Sequence, residues 1–102
     1  MSMKSKNEDP STIGQLYFYG DSVKRNYRKA FPYLLEAAER GDVHCCNLVG
    51  YCLNLGLGVE QDHEQALQWY KKVAKYDHPE ALFNLALIYE NVKPKGKSHY
   101  IL

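Results

Sequence analysis

The chain has no long apolar run: nothing in it approaches the roughly 18 consecutive apolar residues that a membrane-spanning helix needs. The opening segment MSMKSKNEDPST has no apolar core either, so neither a signal peptide nor a membrane anchor is expected there. Charge of one sign is missing too. Thirteen Lys and Arg stand against twelve Asp and Glu, a net charge of +1, and no general field attracts a nucleic acid or a membrane. The small basic clusters KRNYRK (24–29) and KPKGK (93–97) are read as solvated surface. Cysteine is scarce and odd in number, three, with no secretory segment before it. Free thiols in a reducing cytoplasm are therefore expected. What remains, 45% hydrophobic and 25% charged over 102 residues, describes one small soluble domain.

Against these absences stands a repeat. Shifting the sequence by 36 residues lays Gly14, Gly20, Val23, Ala30 and Ala38 on Gly50, Gly56, Val59, Ala66 and Ala74 without a gap. A fixed period of this size marks stacked supersecondary units. Each unit reads as two helices. One places Ala66, Trp69, Tyr70, Val73 and Ala74 at i, i+3, i+4, i+7 and i+8, echoed by Ala30, Tyr33, Leu34, Ala37 and Ala38. Asp62 and Asn26 are their N-caps, with Gln65 completing a capping box on Asp62. The other helix carries Ile13, Leu16 and Tyr17, then Val49, Cys52 and Leu53, then Leu85, Ile88 and Tyr89. In the linker GLGVEQD, Gly56 suits a left-handed cap and Gly58 a tight turn. Ser22 replaces that second glycine in the first linker, which predicts a differently shaped turn. Pro32 predicts a kink, or a helix that begins near it.

The stretch LVGYCLNLGLGVEQDHEQALQWYKKVA (48–74) resembles a Sel-one-like repeat, a relative of the tetratricopeptide family. The resemblance covers 9–91, as repeats 9–44 and 45–80 and a partial third, 81–91. It leaves a flexible segment at 1–8 and a tail at 92–102. It implies an all-α fold: a short right-handed α/α solenoid of about five antiparallel helices, two repeats plus a capping helix.

Catalytic signatures are weak. GKS (96–98) lacks the earlier glycine of a phosphate loop, since Asn91 occupies that place. The four histidines are scattered, and no nucleophile–base set or same-helix ligand pair appears. In HCCNLVGYC (44–52) the residues four positions on from His44, Cys45 and Cys46 are Leu48, Val49 and Gly50, none a ligand. Cys45 and Cys52 are expected as small buried hydrophobes, Cys46 as at least partly packed, and His44 as the groove-facing member. No enzyme activity, cofactor or metal is expected.

By the resemblance, the first helix of each pair lines a concave groove that binds a partner protein. The groove register holds Gln15 and Phe18, then His44, Asn47, Tyr51 and Asn54, then Glu80, Phe83, Leu87 and Glu90. Phe18, Tyr51, Phe83 and Leu87 would form an exposed apolar stripe with a polar rim, the pattern of a partner site. Tyr17, Tyr33, Trp69, Tyr70 and Tyr89 are expected in the core. The leading function is an adaptor module. The main alternative is an immunity protein that neutralises a toxin such as a nuclease by direct binding, and a homodimer over the stripe is a further outcome. A β-lactam hydrolase, as in cysteine-rich relatives, ranks lower: those pair cysteines about eight residues apart, and here Ala37 stands eight before Cys45.

Overall fold

The computed structural model describes residues 9–76 and 78–92. They form α1 (Pro10–Tyr19), α2 (Tyr27–Glu39), α3 (Val43–Leu55), α4 (His63–Ala74) and α5 (Pro79–Val92), with no strand among the described residues. The predicted segment 1–8, the clusters KPKGK and GKS and nearly all of the tail lie outside them.

The two linkers are built alike in their backbone hydrogen bonds. Gly20 and Gly56 both take φ of 73° and close their helices with N–H bonds to Leu16 and Cys52 carbonyls. The chain then doubles back, and Asn26 N–H reaches the Tyr17 carbonyl as Asp62 N–H reaches that of Leu53, each at 2.8 Å. Each equivalent pair is 36 residues apart. Asn26 accepts from Lys29 N–H and Asp62 from Gln65 N–H, both at 3.0 Å, while Gln65 Nε2 donates back to Asp62 Oδ2. Asp42 caps α3 by accepting from Cys45 N–H at 2.9 Å. Partial burial works against its charge, but bonds from Cys45 and Ser11 prevail and hold the carboxyl below its ordinary range.

Two expectations about these elements are corrected. Ser22 takes φ of 69°, close to the 73° of Gly58, so both linkers share one turn shape. Serine is tolerated there because it is exposed, whereas Gly58 abuts the first turn of α2. Nor does α2 begin near Pro32; it runs from its Asn26 cap straight through the proline. Pro32 is exposed, and the missing ladder bond is offset by the buried stripe Ala30, Leu34, Ala37 and Ala38.

Packing proceeds helix by helix along the chain, tightest within α1/α2 and α3/α4, and α3 also touches α5. Leu34, Cys45, Val49, Cys52, Ala66 and Tyr70 are wholly buried. The positions packed most closely are repeat equivalents: Gly14 faces Leu34, and Gly50 faces Tyr70. Tyr33 departs from its expected core place at 38% exposure, and Trp69 is half-buried beneath the Lys72 ammonium, 4.5 Å from its ring. Arg25 and Lys29, from the basic cluster, likewise lie over Tyr27 and Tyr17.

Candidate functional site

The central helix α3 is buried nearly all round: nine of its thirteen residues are buried. A helix in that position has no polar face left to give to a groove. A cleft of about 300 Å³ lies between α1, α3 and α5, with Phe18, Tyr19, Asn47, Tyr51, Glu80 and Phe83 among its lining residues.

This geometry sorts the candidate residues. Phe83 and Leu87 of α5 are exposed at 64% and 43%. Tyr51 is half-buried and Glu80 exposed. Phe18 is buried, 7% exposed, and does not extend the stripe. Its ring meets the edges or faces of Tyr19, Tyr27 and Tyr51, at centroid distances of 4.9, 5.3 and 6.1 Å. Asn47 and Asn54 are also interior, because α5 and the start of α4 cover the faces a longer groove would leave open. Asn54 Oδ1 bonds His63 Nδ1 at 2.7 Å. Asn47 joins α3 to α5, accepting from Asn84 Nδ2 at 3.0 Å and donating to Glu80 Oε1 at 3.4 Å. Gln15 bonds Ser11 and approaches the Cys45 sulfur instead of the cleft. The Glu90 side chain lies outside the described residues.

His44 is held in a chain of contacts that crosses three helices. Its Nε2 lies 2.9 Å from Tyr19 Oη, and its Nδ1 lies 3.3 Å from His78 Nε2. His78 caps α5, its Nδ1 accepting from Ala81 N–H at 3.1 Å. That bond fixes the protons when both rings are neutral. His78 must carry its proton on Nε2 and donate to His44 Nδ1, which leaves the His44 proton on Nε2, toward Tyr19. Burial and the charge of Glu80 push the Tyr19 hydroxyl above its ordinary value, so it stays protonated. Within one helix the histidines looked isolated, and their convergence was missed. The signal was present in the period: His78 stands 36 residues after the cap Asp42, and Glu80 stands 36 after His44.

The thiols offer no reactive centre. All three are buried, and burial pushes Cys45 up to about 11 and Cys52 up to about 12, with Cys46 also raised. In native protein at pH 8 Cys45 and Cys52 should react with a maleimide at least about 100-fold more slowly than in the unfolded chain, because their thiolates are nearly absent, and Cys46 should also be slowed. Labelling of native Cys45 or Cys52 at the unfolded rate would contradict this burial.

The comparisons agree with the architecture. A protective antigen of uropathogenic Escherichia coli with an SLR fold superposes with a TM-score of 0.69 at 39% identity, over 78% of this chain and 17% of that one. A Sel1 repeat protein of Oxalobacter formigenes gives 0.70 at 28% identity, over 80% and 35%. The chitin synthase regulatory factor 3 of Schizosaccharomyces pombe is 37% identical over 92 residues, 86% of this chain. This chain spans only about a tenth of that relative's length, 10%. No helix among the described residues is long and apolar enough to cross a membrane. The Sel1 repeat profile matches residues 13–42, 43–75 and 79–91, and the chain belongs to the Sel1 repeat family.

Proposed function

We propose that this chain is a non-catalytic protein-binding module whose docking site is the α1–α3–α5 cleft. The observation that carries the reading is the exposure of Phe83 in a cleft it lines with the half-buried Tyr51, Glu80 and Asn84, with Leu87 exposed one helical turn further along α5. Large apolar groups left in water next to a concavity are the usual anchors of a partner. The regulatory role in the name of the fission-yeast relative supports binding over catalysis. So does the protonated, buried state of the thiols.

Phe83→Asp should leave the helical circular dichroism and melting temperature nearly unchanged, because the ring is exposed. In affinity capture from the source cell it should weaken retention of a stoichiometric partner by about 30-fold, the scale of a binding hot spot. Unchanged capture by the variant would remove the cleft from the proposal. Should the captured partner be a toxin, the immunity reading takes over; a homodimer and no partner would count against the adaptor.

A further inference from the structure

The meeting of His44 and His78 has more donors than a single hydrogen bond uses. His44 Nδ1 and His78 Nε2 lie 3.3 Å apart, with ring planes within 18°. A carboxylate oxygen of Glu80 lies within 4.8 Å of both. Two nitrogens bound to one tetrahedral zinc ion at about 2.0–2.1 Å are themselves about 3.3–3.4 Å apart. The separation between the rings is therefore the one that two ligands of a shared ion would have.

We propose that His44, His78 and Glu80 form a divalent transition-metal site of the zinc class, with the fourth position left to water. Two imidazoles and one carboxylate suit zinc better than magnesium or calcium, which prefer all-oxygen sets. The surroundings are those of a metal site as well. Tyr19 Oη engages the remote nitrogen of His44, which keeps a lone pair on Nδ1 and fixes the ring. Asn84 holds Asn47, and Asn47 in turn donates to the Glu80 carboxylate. All three ligands sit at the starts of α3 and α5, so an ion there would pin the third repeat to the second.

Binding competes with one existing bond. A metal on His78 Nε2 moves that proton to Nδ1, where it meets the Ala81 N–H, so the cap must loosen. Losing a helix cap costs the site roughly a factor of five in affinity. The ion site shares Glu80 and Tyr19 with the lining of the docking cleft, but its test reads zinc binding by the chain alone and does not depend on a captured partner.

The test is calorimetric titration of the full chain with zinc chloride in a non-chelating buffer. One zinc per chain is expected, with a melting temperature that rises with zinc concentration. His44→Gln and Glu80→Gln should each weaken binding by about 100-fold, and Tyr19→Phe by about tenfold through ring positioning. Cobalt in place of zinc should give the visible absorption of a tetrahedral site in the parent and not in His44→Gln. Because His78 also caps α5, the discriminating variants avoid it, and Glu80→Gln changes an exposed residue while keeping a side-chain oxygen to accept from Asn47. No uptake by the parent chain overturns the proposal. Equal affinity in His44→Gln and Glu80→Gln does so too, since it would place the ion elsewhere.

Discussion

Gly58→Ala should cost about 3–5 kcal/mol and leave much of the chain unfolded at modest denaturant, against a total of about 5–12 kcal/mol expected for a domain this size. Two penalties combine. The residue sits at φ of 73°, where any side chain is strained; that alone is worth about 1 kcal/mol. The larger penalty is steric. A β-carbon at this point would overlap the Tyr27 carbonyl and lie 2.7 Å from Arg28 N, and these are backbone atoms of the first turn of α2 that cannot rotate away. Relief requires the second linker to move off the first repeat, and with it the contact between repeats.

The fold supplies its own control. Ser22 occupies the equivalent left-handed position in the first linker with a side chain already present and exposed. Ser22→Ala should therefore shift stability by less than about 0.5 kcal/mol. Urea unfolding of both variants reads the difference. If Gly58→Ala lost no more than the left-handed penalty, the linker would not be wedged against α2 as the geometry requires.

Gly50→Ala should also destabilise, by about 2–3 kcal/mol, although the same change in an open helix stabilises by about 0.5–1 kcal/mol. An added β-carbon would stand 2.7 Å from Tyr70 Cε1 and 3.0 Å from Cδ1 and Cζ. The ring has no room to retreat, being wholly buried, and its hydroxyl has no hydrogen-bond partner among the described residues. The clash belongs to the pair, so a double-mutant cycle isolates it. With Tyr70→Ala in the background, Gly50→Ala should lose its penalty, giving a coupling of about 2–3 kcal/mol. Additive effects would mean that the two helices do not meet through this glycine. Gly14 against Leu34 is the same contact one repeat earlier, where an added β-carbon would meet Leu34 Cδ2 at 2.7 Å and its backbone N at 3.0 Å.

Much of this was legible in the residues. The 36-residue period, the caps at Asn26 and Asp62 and the left-handed Gly56 came from local chemistry, which needs only neighbours in sequence. The burial of the cysteines followed from their positions on the apolar stripe. The turn at Ser22 did not, because a residue's side chain tells whether φ > 0 is easy, not whether the linker hydrogen bonds impose it.

Helical periodicity shows which face of a helix is apolar. It cannot show how many neighbours will cover the remaining faces, and that is why Phe18, Asn47 and Asn54 are interior where an open groove was expected. The same reason kept His44, His78 and Glu80 apart in the sequence: their meeting spans 34 and 36 residues and exists only once α5 stacks on α3. The sequence by itself determined the helices, the caps at Asn26, Asp62 and Gly56, and the repeat. Only the stacking of repeats decided which polar side chains face water, which face each other, and that Phe83 and Leu87 remain outside.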